Sequence, residues 1–139
     1  MKQELESCLS GWCFEAMDAA GRSEGVAIGW WQRQIHCNNI WGIHSGIGAD
    51  FFSREANLNF SVLNLYGPYQ SCLSLWEDLF GKSFWNKTNL IVGGDLNFSL
   101  GEAEIWGPNA RMDELTDFFC HRLAQAGVTD VPPIKMTLT

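Results

Sequence analysis

The sequence predicts a mixed α/β fold, an α/β sandwich in which helices cover the faces of sheets. Two observations carry the prediction. Strand-like apolar segments come first along the chain, and a strand, a helix, a strand and a helix follow them. The 139 residues are also 46% hydrophobic and 13% aromatic, with seven Trp and nine Phe, which is enough to fill a sizeable core. No internal repeat or low-complexity linker divides the chain, so residues 1–139 are expected to form one domain.

Residues 1–10 read as the end of a helix. Residues 12–18 alternate apolar and polar side chains, which suits a strand. Turn-forming Ala20-Gly21-Arg22-Ser23 follows, and the run Val26-Ala27-Ile28-Gly29-Trp30-Trp31 predicts a second strand, hairpin-paired with the first. Residues 35–43 suggest a third strand interrupted by Asn38 and Asn39, and Gly42, Gly46 and Gly48 read as a loop. Residues 58–66 are the clearest strand. Leu58, Phe60, Val62, Asn64 and Tyr66 share one face, and Asn59, Ser61, Leu63 and Leu65 the other. Gly67-Pro68 ends it.

Tyr69, Cys72, Leu73, Trp76, Leu79 and Phe80 then recur at helical spacing, with Gly81 as the stop. Leu90-Ile91-Val92 is a short buried strand closed by Gly93-Gly94. Residues 111–126 predict a second helix with Met112, Leu115, Phe118, Phe119, Leu123 and Ala126 inward. Asp113 and Glu114 fall in its first turn, where the helix dipole favours negative charge, and Gly127 ends it. Residues 128–131 suggest the start of another strand before Pro132-Pro133.

Charge and cysteine usage narrow the function. Nine Lys and Arg stand against 16 Asp and Glu, a net charge of −7. This argues against holding nucleic acid by general charge neutralisation, while acidic side chains suit divalent cations or simply a soluble surface. The five Cys are odd in number and form no CxxC pair, so neither a disulfide framework nor a zinc site is indicated. Reduced thiols and an N-terminus without an apolar core predict a nuclear or cytoplasmic protein that is not secreted. No apolar run approaches membrane-spanning length, and no membrane partner is expected.

Two stretches carry chemistry. In Asn89-Leu90-Ile91-Val92-Gly93-Gly94-Asp95-Leu96-Asn97-Phe98 a buried strand delivers the chain to two glycines, which allow close approach of backbone to a ligand. Asp95 and Asn97 follow two apart, so in an extended segment they face the same way. A carboxylate there can orient or deprotonate water, and a carboxamide can donate to a phosphoryl oxygen. Together they suit metal-assisted attack of water on phosphorus; the plainer alternative is a turn in which Asn97 bonds backbone. In Asn64-Leu65-Tyr66-Gly67-Pro68 two polar groups share an apolar face at the C-terminal end of a strand, where α/β folds place ligands. The Tyr66 hydroxyl there suits a phosphate oxygen, or else belongs to the core with its hydroxyl satisfied. Arg111, opening the second helix, is a further candidate to meet a phosphate, or an ordinary solvated Arg. His36, His44 and His121 share no metal-ligand spacing, and Trp106 suits either base stacking or pinning its loop.

In this order the two stretches resemble motifs of the endonuclease/exonuclease/phosphatase family. Leu63-Asn64-Leu65-Tyr66-Gly67-Pro68 is similar to the family strand that ends in a functional Tyr, and Val92-Gly93-Gly94-Asp95-Leu96-Asn97 to its Gly-Asp-x-Asn motif. Arg22-Ser23-Glu24-Gly25-Val26-Ala27-Ile28 resembles the segment that leads into the second strand. Over nearly its whole length the chain resembles the apurinic-endonuclease-like domain of plant non-LTR retroelements. The resemblance implies part of a four-layered α/β sandwich of the DNase I-like type and magnesium-dependent (Mg2+) phosphodiester hydrolysis of DNA. It implies that Tyr66 contacts the scissile phosphate, that Asp95 positions or activates the attacking water, and that Asn97 bonds the phosphate and holds Asp95. Asn64 and Arg111 would bind substrate.

The departures from the family pattern are as informative. The family's metal-binding Glu would fall just before Met1, and Glu4 and Glu6 have no strand ahead of them. The family's first strand, and its closing Ser-Asp-His triplet with the Thr-Trp segment before it, have no counterpart. Glu24 stands where a second glycine is usual, and Tyr69 where Asn often follows the Pro. The expectation is a partial domain with the middle of the site and with its metal ligands unassigned. Three functions remain open: an active endonuclease, a catalytically inactive retroelement remnant or scaffold, and a phosphatase of the same superfamily acting on inositol phosphates or phospholipids. Catalytic groups that act as a unit lose most of their effect when one is missing, which favours the inactive remnant for this chain.

Overall fold

Six strands and three helices follow one another in a computed structural model that describes residues 1–17, 25–67, 72–101 and 114–131. They are α1 (Lys2–Cys8), β1 (Trp12–Met17), β2 (Val26–Trp31), β3 (Ile35–Ile43), β4 (Gly46–Ser53), β5 (Leu58–Tyr66), α2 (Cys72–Phe80), β6 (Leu90–Asp95) and α3 (Thr116–Gln125). A 3-10 turn at Ser83–Asn86 precedes β6. The chain divides into two compact units, residues 1–72 with 83–97 and residues 73–82 with 98–139.

The first unit holds every strand. β1 and β2 form the expected antiparallel hairpin, with Trp12 opposite Trp31 and Met17 opposite Val26. The other four strands make one sheet in the order β3-β4-β5-β6, antiparallel except for the last pair. The interruption foreseen in β3 is a β-bulge between Cys37 and Asn39.

One expectation is overturned here. Gly46 and Gly48 do not lie in a loop but in β4, a central strand with its first four residues buried, and Gly42 lies inside β3. Glycine in a strand interior signals close approach. Trp41 sits directly across from Gly48, and a Cβ on Gly48 would overlap the Trp41 ring. That ring in turn stacks on Phe84 of the 3-10 turn, centroids 5.5 Å apart. The glycine is thus a seat for a cross-strand aromatic.

The two faces of the sheet differ. On one, Ile47, Ala49 and Phe51 of β4 form a core with Ile28 of β2, and Val26, Trp30, Ile35, Cys37, Phe60 and Val62 pack round it. On the other, Asp50 of β4 accepts hydrogen bonds from Ser61 Oγ (2.7 Å), Lys87 Nζ (2.8 Å) and, at longer range, Trp41 Nε1 and Asn39 Nδ2 (both 3.4 Å). The Lys87 ammonium also lies over the Trp41 ring, 5.7 Å from its centroid. Burial pushes the Asp50 carboxyl up, but the hydrogen bonds from Lys87, Ser61 and Asn39 outweigh it and leave the group below its ordinary value.

The second unit is built on aromatic rings. Trp76 of α2 and Phe119 of α3 are fully buried, and they meet edge to face with centroids 5.2 Å apart. Phe98 stacks on Phe119 at 3.7 Å, and Phe80 meets Phe118 edge to face at 6.1 Å. Trp76, Leu79, Phe80, Leu115, Phe118, Phe119, Leu123 and Ala126 are buried or half-buried as expected, Leu73 is exposed, and Tyr69 lies outside the described residues. α3 starts at Thr116, so Glu114 precedes it and the acid of its first turn is Asp117. Arg111, Met112 and Asp113 lie outside the described residues. Gly127, with φ of +68°, ends the helix as expected, whereas residues 128–131 form no strand.

Candidate active site

The site is assembled by the parallel pairing of β5 with β6. Its register sets Asn64 beside Gly93, Leu65 beside Gly94 and Tyr66 beside Asp95. Neighbouring strands run about 4.8 Å apart and alternate residues share a face. Asn64, Tyr66 and Asp95 therefore rise on the same face, with Tyr66 and Asp95 side by side at the C-terminal ends of their strands. Tyr66 is half-buried and Asp95 exposed, so the carboxylate is open to water. Gly67 N–H donates to the Asp95 carbonyl at 2.7 Å and continues the pairing past the last strand residue.

Polar side chains tie this corner together. Asn64 Nδ2 donates to the Ala27 carbonyl of β2 at 2.8 Å, which fastens the end of β5 to the β1–β2 hairpin. Gly94 is required at its position. Its φ is +126°, and a Cβ there would overlap the Leu65 carbonyl and come within 2.6 Å of Asn64 Oδ1.

Asn97 corrects the expectation that it continues an extended segment from Asp95. β6 ends at Asp95, and Asn97 takes a left-handed conformation, φ +53°, which Asn adopts more readily than most residues. The chain turns there, and the Asn97 carboxamide N–H donates to the Gly67 carbonyl. Asn97 thus stitches the ends of β5 and β6 together, while its second N–H is a further donor.

Sequence reasoning left one neighbour of this corner out. The β3–β4 hairpin turns through His44 and Ser45, and Tyr66 N–H donates to the Ser45 carbonyl at 2.8 Å. Because β4 reads as a loop in the sequence, no signal there places this turn beside Tyr66. Of the other candidates, His36 is exposed on β3 and His121 on α3, away from any acidic cluster among the described residues. Arg111, Glu24 and Trp106 lie outside the described residues.

The donor set can be tested against the magnesium that the resemblance implies. Magnesium takes near-octahedral oxygen ligands, usually one or two carboxylates with waters. Among the described residues no three His, Cys, Asp or Glu gather in a way that holds a metal ion, and the carboxylate that the β5–β6 register sets at this corner is Asp95. The described residues alone do not fit a resident magnesium ion. Among them, too, no helix is long and apolar enough to cross a membrane.

No family model matches the chain, and no curated protein matches it. Solved structures do. The human Nocturnin catalytic domain, determined with a bound sulfate anion, matches with a TM-score of 0.51 and 20% identity over 70% of this chain and 46% of that one. A mannosyl-6-phosphatase of Bacteroides thetaiotaomicron matches with a TM-score of 0.51 and 13% identity over 70% of this chain and 47% of that one. An endonuclease/exonuclease/phosphatase family protein of the same bacterium gives 0.51 and 13% over 70% and 44%. The chain therefore spans less than half the length of each of these structures. At such identities the likeness concerns the fold, which is a mixed α/β fold of the DNase I-like type, present in part.

Proposed function

We propose that this chain carries the phosphate-ester corner of a phosphodiester hydrolase of the endonuclease type, with DNA as its substrate class. The observation that supports this best is the register that sets Tyr66 beside Asp95 at the exposed ends of two parallel strands. In that arrangement a phosphodiester lies across the strand ends. The Tyr66 hydroxyl donates to a non-bridging oxygen, and the Asp95 carboxylate orients a water and takes its proton as the water oxygen attacks phosphorus. The bond from phosphorus to the leaving oxygen breaks, and that oxygen takes a proton from solvent. Asn64 and Asn97 keep the two strand ends in place. The fold alone does not separate nucleases from phosphatases, and the retroelement likeness of the two motifs is what favours DNA.

As it stands the chain hydrolyses phosphodiesters only at background. Asp95 belongs to no group of three or more potential metal ligands among the described residues, and a catalytic unit short of members loses most of its rate. This agrees with an inactive retroelement remnant that keeps its phosphate contacts.

Two measurements test the reading. Supercoiled plasmid is incubated with the purified chain and magnesium, with Asp95→Ala as control. No nicking above buffer is expected from either protein, and nicking that needs both magnesium and Asp95 would overturn the inactive half of the proposal. Calorimetric titration with inorganic phosphate is expected to show binding that Tyr66→Phe weakens; no binding by the wild-type chain would overturn the corner itself. Tighter binding of an inositol phosphate than of a DNA duplex would move the substrate class to the phosphatase branch.

A further inference from the structure

The turn of the β3–β4 hairpin holds a polar group without a use. Ser45 Oγ is enclosed by protein and meets no hydrogen-bond partner among the described residues. A buried hydroxyl without a partner is costly, and in native proteins it calls for an explanation such as a ligand. Its location supplies one. Ser45 is the residue whose carbonyl receives the N–H of Tyr66, and Gly46 beside it is pressed so closely on β5 that a Cβ would come within 2.5 Å of the Asn64 carbonyl.

The hairpin is also held in place from outside. Ile43 pairs with Gly46, which leaves a two-residue turn, and neither His44 nor Ser45 has a positive φ. The turn is therefore not one of the primed types whose twist suits a tight hairpin. Its contacts with the end of β5 fix it where it is.

We infer that Ser45 is a further substrate contact of the Tyr66–Asp95 corner, its hydroxyl donating a hydrogen bond to a phosphoryl oxygen of the bound ester. The inference rests on the phosphate-ester reading of that corner. Ser45 as a whole is only half-buried, and to reach the ester its hydroxyl turns about the Cα–Cβ bond out of its enclosed position. Ser is a donor of one O–H, and the other β4 side chains near the turn, Ile47 and Ala49, have none. The corner then has three walls: the Ser45 turn, the end of β5 and the end of β6.

The test compares Ser45→Ala, Ser45→Thr and Tyr66→Phe with the wild-type chain, using inorganic phosphate as the calorimetric probe and the melting temperature without phosphate as a second readout. Removing a hydroxyl that has no partner in the free protein does not destabilise it. Ser45→Ala is therefore expected to melt at the same temperature or higher, yet to bind phosphate about tenfold more weakly, the size of one hydrogen bond to a charged group. Ser45→Thr keeps a hydroxyl and is expected to retain most of the affinity. A lower melting temperature for Ser45→Ala, with or without weaker binding, would show the hydroxyl to be structural and overturn the inference. Unchanged affinity in Ser45→Ala while Tyr66→Phe binds weakly would overturn it alone and leave the corner standing. Absence of phosphate binding by the wild-type chain would overturn both.

Discussion

The β3–β4 hairpin and the β5–β6 pair meet along one strand boundary, yet they are held by different means. The end of β5 is held by polar side chains, with Asn97 joining it to the end of β6 and Asn64 tying it to Ala27 of β2. β3 and β4 share polar bonds from Asn39 and Trp41 to Asp50, but their fit is set by glycines: Gly48 leaves room for the Trp41 ring, and Gly46 for the backbone of β5. The two sets of glycines consequently do different work. Gly94 serves a backbone conformation that side chains rarely adopt, whereas Gly48 is in ordinary strand geometry and serves only the space above it.

The sharpest way to break this comparison is a single methyl group placed in each region. Gly94→Ala is expected to have the largest effect, about 3 kcal/mol or more, because it adds a strained φ to a clash with rigid backbone at Leu65. Gly48→Ala is expected to cost less, about 1–3 kcal/mol, the usual range for overpacking, since the obstacle is the Trp41 side chain, which can move. Denaturant unfolding of both variants measures the difference. Equal costs would mean that Trp41 is held as rigidly as the backbone. A smaller cost at Gly94 would remove the distinction between the two regions.

The same contrast explains what was legible in the sequence. β5 was visible because its apolar positions alternate, and Tyr66 and Asp95 stood out as polar groups at the ends of apolar segments. Helices α2 and α3 are visible through the spacing of Trp76, Phe80, Phe118 and Phe119 and stop at the expected glycines, while α3 begins only at Thr116 because helix starts are set locally. β4 was hidden, since glycine at alternate positions removes β-propensity from a strand whose reason to exist is the ring of Trp41 on its neighbour. The tie from Asn64 to Ala27 spans 37 residues, a separation at which the sequence carries no local signal. The residue type of Asn97 permits either an extended or a left-handed conformation, and the contact with Gly67 accompanies the left-handed one.

Asp50 lies where the two regions touch, on β4 but bonded to Ser61 of β5 and to Lys87 ahead of β6. A polar tie therefore crosses the boundary of the region built on shape, and its effect can be separated by pH. The folded carboxyl lies below its ordinary value, because the hydrogen bonds from Lys87, Ser61 and Asn39 together exceed the opposing effect of burial. A carboxyl with a depressed folded pKa contributes stability that is present above the unfolded pKa, about 4 for Asp, and is lost as pH falls through the folded value. Asp50→Asn is expected to remove this contribution. The melting temperature of the variant should lie below that of the wild type at neutral pH, and the gap should narrow as pH drops below about 4. This is the smallest of the three stability effects, because exposed and half-exposed ion pairs contribute little. A gap that stays constant through the acid range would assign the loss to packing beside Trp41 rather than to the charge of Asp50.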